Sequence, residues 1–149
     1  MLRPWRRSYR LLRMEHVVRI RREVVSHMVE EARCEPSLES CGLLGGRGGV
    51  ISAIFPARNA LASPSEFEIA PAELFRMFRE MRASRLDHLG IYHSHPAGDN
   101  APSARDIERA FYPDVAYFVV SPLPDAPRPV RAFSIREGRV TELAIKTLG

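Results

Sequence analysis

The stretch Val115-Ala116-Tyr117-Phe118-Val119-Val120-Ser121 is apolar at nearly every position. It has the length and the β-branched and aromatic content of a strand, and it lacks the alternation of a half-solvated one. Such a strand is central and buried on both faces, so other elements must cover it from both sides. That requirement points to an α/β chain in which helices pack on a mixed sheet. The neighbouring segments fit. In "VRIRREVVSHMVEEARC" the apolar period changes from strand-like, around Val18 and Ile20, to helix-like at Val24, Val25, Met28, Val29 and Ala32. "SCGLLGG" and "GVISAIFPARN" read as strands joined through Gly45–Gly49, and "VRAFSIREGRVTELAI" as a hairpin turning at Glu137-Gly138. Pro71 opens a helix whose expected apolar stripe is Leu74, Phe75, Phe78 and Met81. "HLGIYHSH" is a strand, residues 103 to about 111 are a helix, and "FEIA" is a short strand within an otherwise irregular 57–70.

The chemistry concentrates at the end of one strand. In Gly90-Ile91-Tyr92-His93-Ser94-His95-Pro96, residues two apart share a face, so His93 and His95 project together and Ser94 projects away. Pro96 ends the strand. A compact Gly/Pro/Asn loop over residues 97–102 then delivers Ser103-Ala104-Arg105-Asp106. Ser-x-x-Asp is a capping signature and needs no further role, and a His-x-His pair alone is often structural. Together they allow two imidazole nitrogens and one carboxylate oxygen around a single point. Such a set suits Zn²⁺ better than Ca²⁺ or Mg²⁺ and leaves a fourth position for water. A zinc hydrolase also needs a base. Glu39 stands directly before "SCGLLGG", where a strand edge would hold it; Glu66, Glu68 and Glu73 are its rivals. Cys41 could reach a metal but fits better as a small packing residue. His16, His27 and His88 read as structural or solvated.

Charge narrows the partners. Five of the 22 Lys and Arg, namely Arg3, Arg6, Arg7, Arg10 and Arg13, lie in residues 1–13, which hold no acid. The other 17 face 18 acidic residues, so the body is near neutral. A folded nucleic-acid-binding face is therefore not expected. Residues 1–13 are expected to be a disordered basic extension, with Met14 as an alternative natural start, and residues 14–149 one domain. No apolar run approaches the roughly 20 residues of a membrane span. Cys34 and Cys41 are too few for a disulfide framework and read as reduced thiols of a cytoplasmic protein.

His93-Ser94-His95, seven residues, Ser103, two residues and Asp106, with Glu39 upstream before Ser40-Cys41-Gly42, resemble the JAMM motif of the MPN+ (JAB-domain) zinc metallopeptidases. The resemblance covers most of the chain from about Val17. It implies a cytidine-deaminase-like fold, a curved mixed sheet flanked by helices. It implies one Zn²⁺ per chain held by His93, His95 and Asp106. Glu39 would be the general base and Ser103 the oxyanion donor. It also implies hydrolysis of an amide or isopeptide bond at the tail of a ubiquitin-like protein. The loops leave no visible room for the long insertions with which eukaryotic deubiquitinases grip ubiquitin. The chain is thus similar to minimal prokaryotic members acting on sulfur-carrier proteins. "HPAGDNAPSARD" also resembles RadC-like proteins. A non-catalytic MPN-type module and a small-molecule zinc amidase are the other readings, and a homodimer is one oligomeric state left open.

Overall fold

The computed structural model describes residues 16–149; the expected basic extension at 1–13 and the alternative start at Met14 lie outside them. The elements run β1 (Val17–Arg21), α1 (Arg22–Cys34), β2 (Cys41–Arg47), β3 (Val50–Ala57), α2 (Pro71–Ala83), β4 (Asp87–Ser94), α3 (Ala104–Glu108), β5 (Ala116–Val120), β6 (Val130–Arg136) and β7 (Arg139–Leu148). The strands form one mixed sheet in the order β1-β3-β2-β4-β5-β6-β7, and β7 returns to pair with β1, so the sheet closes on itself. Strand patterning predicts a mixed sheet, and the motif resemblance implies a curved one. It does not predict closure, which depends on two seams of parallel pairing: five residue pairs between β1 and β7, and only Arg19–Val50 and Ile20–Ile51 between β1 and β3.

β5 is buried along its whole length, as its composition demands. Alternate residues of the central strands enter two separate cores. Leu44, Tyr92 and Phe118 pack with Val24, Met28 and Ala32 of α1. Leu43, Ile91, Tyr117 and Val119 pack with Met77 and Met81 of α2. Each of these large apolar side chains contributes about 1.5–3 kcal/mol by leaving water. His93 has the parity of Ile91, which assigns it to the α2 face.

Three local expectations are corrected. The α2 stripe uses Met77 in place of Phe75, which is 65% exposed, because three- and four-residue steps from Leu74 reach Met77, Phe78 and Met81. "FEIA" is not a strand: the Glu68 N–H donates to the Asn59 side chain, 3.3 Å away, and its carbonyl accepts from Ala60 N, so no ladder forms. The helix after Ser103 ends at Glu108, short of Phe111. Tyr112 precedes a proline, which disfavours helical backbone. The Tyr117 hydroxyl also takes up both Tyr112 N–H (2.8 Å) and Tyr112 C=O (3.1 Å). The Glu137-Gly138 turn is as expected, with positive φ at both residues (48° and 79°). Among the described residues, no helix is long and apolar enough to cross a membrane.

Gly42 lies in the β2–β4 ladder that carries the site. A Cβ there would fall 2.5 Å from the Phe55 carbonyl oxygen and 2.6 Å from the Tyr92 ring. Tyr92 cannot easily yield, since its buried hydroxyl donates to Glu31 Oε1 at 2.5 Å. Gly42→Ala is therefore expected to cost about 1–3 kcal/mol by overpacking, read as a lower urea midpoint at unchanged slope.

Candidate metal centre

Two strand ends and one short helix build the site. β2 and β4 are antiparallel with Cys41 opposite His93, and the ladder runs one step further, Ser94 N–H donating to Ser40 C=O at 2.9 Å. Ser94, on the far face as expected, accepts from Ser40 N–H at 2.8 Å. This register sets Glu39 opposite His95. His95 N–H donates to Val120 C=O at 2.9 Å, which ties the end of β4 to β5. Past Pro96 the loop returns, and α3 opens with a reciprocal cap. Ser103 Oγ accepts from Asp106 N–H at 3.1 Å, while Asp106 Oδ2 accepts from Ser103 N–H at 2.9 Å. The cap fixes the carboxylate that faces the two histidines.

The structure brings together the three residues that spacing selects. His93 Nε2 and His95 Nε2 are 3.1 Å apart, and Asp106 Oδ2 lies 3.1 Å from the first and 3.0 Å from the second. Among the described residues this is a group of three donors able to hold one ion. The fit is close: four donors around zinc with bonds of about 2.0 Å lie about 3.3 Å from one another. A different partner orients each imidazole. His95 Nδ1–H donates to the Asp99 carbonyl, which turns Nε2 toward Asp106 and, in the neutral ring, would leave it the lone pair a metal needs. His93 Nδ1 is buried without a partner, and its ring instead stacks on Phe67, centroids 4.7 Å apart and planes at 22°.

Electrostatics distinguishes the members. Burial lowers the His93 imidazole below its ordinary value, against the pull of Asp106, and so favours the neutral form that binds metals. Burial would also lower His95, but its bonds to Asp106 and the Asp99 carbonyl, with the charges of Asp106 and Glu39, raise it. Asp106 is desolvated, which alone would raise it. Hydrogen bonds from both histidines and from Ser103 N–H outweigh this and hold it far below the usual carboxylate range.

Glu39 is only 3% exposed, and its Oε1 has no hydrogen-bond partner. Burial pushes its carboxyl up to about 7, with the charges of Asp106 and Glu66 adding and His95 opposing. Its rivals are committed elsewhere. Glu66 pairs with Arg105 at 2.9 Å, and Glu73 accepts from Arg58 N–H at 3.0 Å and pairs with Arg76. Glu68 contributes its backbone to the 57–70 loop. The buried Cys41 thiol is pushed up to about 12, first by burial and then by the charges of Glu31, Glu73 and Glu39, and lies outside the donor group. His88 is lowered to about 4 by burial, bonds to Gly90 C=O and packs edge-on against Phe78 and Tyr112. His16 and His27 are exposed.

Residues 21–136 match the family model described as prokaryotic homologs of the JAB domain. The chain belongs to this family. It is 36% identical over 105 residues to the desampylase of Haloferax volcanii, covering 68% of this chain and 76% of that protein. It is 33% identical over 129 residues to the CysO-cysteine peptidase of Mycobacterium bovis, covering 85% and 88%. A solution structure of a Desulfitobacterium hafniense protein superposes with a TM-score of 0.78 at 32% identity, over 89% of this chain and 92% of that one. A JAB1/MPN domain protein from Archaeoglobus fulgidus shares the fold at 19% identity, with a TM-score of 0.56 over 87% and 96%. The JAB fold inferred from the motif is thus the fold of the chain.

Sequence reasoning does not find Asn59, Phe67 or Asp99, which hold this JAB site together. Asp99 acts through its carbonyl, which no residue type announces, and Phe67 and Asn59 stand in a loop without periodicity.

Glu39 supplies a test. Its folded value of about 7 lies above its ordinary 4.5, so the folded state binds the proton more tightly. The associated stability is complete below 4.5 and is lost as pH rises through 7. Glu39→Gln removes this dependence. In chelator-treated protein its melting temperature should rise relative to the parent between about pH 5 and about pH 8; a constant difference would contradict the burial cost assigned to Glu39.

Proposed function

We propose that the chain is a zinc-dependent metallopeptidase of the JAMM type that hydrolyses an amide or isopeptide bond at the C-terminal tail of a ubiquitin-like or sulfur-carrier protein. One observation carries this reading: three convergent donors of zinc-like spacing lie beside a buried carboxylate with an unpartnered oxygen. Relatives bearing the names desampylase and CysO-cysteine peptidase support both the hydrolysis and a protein-linked substrate.

His93, His95 and Asp106 would hold the ion. Zinc in such a site lowers the pKa of water toward neutrality and polarises a carbonyl. Glu39 takes the proton from the attacking water, a task for which a carboxyl near 7 is matched to neutral pH. As the C–N bond breaks, the same carboxyl returns that proton to the leaving amine. Ser103 Oγ already accepts from Asp106 N–H, and its own O–H remains free to donate to the oxyanion of the tetrahedral intermediate. Asp106 stays ionised throughout: Ser103 N–H donates to it, and the positive charge of the ion it would help to hold favours the carboxylate.

Incubation with ubiquitin-like proteins and carrier fusions from the same genome, read by intact mass, tests the assignment. The parent should bind about one zinc per chain and release the tail at a glycine-ended junction. Glu39→Gln should keep the zinc and lose about 10²–10⁴-fold in rate. Asp106→Asn should lose zinc and activity together. Retained zinc with undiminished cleavage in Glu39→Gln would remove Glu39 from the chemistry. Cleavage of small amides but of no carrier fusion would replace the substrate class.

A further inference from the structure

Asn59 is 92% buried (8% exposed) and stands outside the motif. Its amide reaches three backbone carbonyls, those of Glu39 at 3.1 Å, Ser63 at 3.3 Å and Glu66 at 2.9 Å. Its Oδ1 accepts from Leu61 N–H at 3.0 Å and Glu68 N–H at 3.3 Å. Two donor hydrogens and two lone pairs are thereby fully used. The Glu39 backbone is tied to the same loop on its other side, where its N–H donates to Ser63 C=O at 2.9 Å. Both main-chain groups of Glu39 are thus held by the 58–70 loop, while its side-chain Oε1 has no partner. What fixes the carboxylate is therefore its backbone anchor. The same loop carries Phe67, stacked on His93, and Glu66, paired with Arg105 one residue before Asp106.

We propose that Asn59 is a positioning residue for hydrolysis: it acts through the 58–70 loop to hold the Glu39 carboxyl against the metal centre. The proposal rests on the role given above to Glu39. The donors themselves stand at the end of β4 and on α3, which no hydrogen bond of Asn59 reaches, so zinc binding and base placement are separable.

Asn59→Ala and Asn59→Asp test this in the full chain. Asn59→Asp keeps oxygen acceptors for Leu61 and Glu68 and removes the donors that reach Glu39, so it probes the donor half even where Asn59→Ala folds poorly. Zinc content by native mass spectrometry, melting temperature, and kcat and KM on a carrier fusion are measured well below melting, with rates expressed per zinc-loaded chain. Both variants should keep about one zinc and lose kcat by about 10²-fold, the scale of a misplaced catalytic group, while KM changes less than threefold. A kcat within threefold of the parent overturns the proposal. So does loss of zinc in parallel with kcat, which would make Asn59 merely structural. A parent that cleaves no carrier fusion sinks the hydrolase reading itself and this assignment with it, whereas an active parent beside active variants sinks the assignment alone.

Discussion

Three polar atoms about 3 Å apart, two of them imidazole nitrogens and one a carboxylate oxygen, sit where little water reaches. Desolvated groups of this kind are costly unless each finds a partner. Much of the surrounding structure meets that demand. The Ser103–Asp106 cap immobilises the carboxylate, the Asp99 carbonyl fixes one ring, and Phe67 supports the other. Among the described residues, Glu39 Oε1, His93 Nδ1 and Ser40 Oγ remain buried without a hydrogen-bond partner. An unpaired buried oxygen of this kind is tolerated where chemistry uses it.

The sheet explains how such a group can be held rigidly. β2 and β4 lie side by side between β3 and β5, so the strand ends that carry Glu39 and the two histidines are braced on both flanks. The two cores, one with α1 and one with α2, prevent the ladder from slipping, because a shift by one residue would exchange them.

The convergence of His93, His95 and Asp106 was legible because it is local. His93 and His95 share a face by strand parity, and the loop and cap determine where Asp106 returns. The buried central strand was legible from composition, as was the Glu137-Gly138 turn. What stayed hidden depends on distant partners. Closure of the sheet rests on pairing between the first and last strands, which no local period encodes. Position alone leaves Glu39 beside Glu66, Glu68 and Glu73, and only the motif resemblance selects it; the partners that occupy Glu66 and Glu73, namely Arg105, Arg76 and Arg58 N–H, are distant in sequence or set by the fold. Phe75 was misassigned because one helical step of 100° separates it from Leu74, and spacing from Leu74 favours Met77 and Phe78 equally well.

The separation of the site's parts along the chain orders their assembly. The three converging donors fall between positions 93 and 106, a single strand-loop-helix whose closure carries a small entropic cost. Glu39 arrives across a contact between residues 54 positions apart, which forms only as β2 docks on β4. The donor group is thus a local feature of the chain, whereas the placement of the Glu39 carboxyl depends on the long-range sheet. Under the proposed function, hydrolytic competence would belong only to molecules in which β2 has docked on β4.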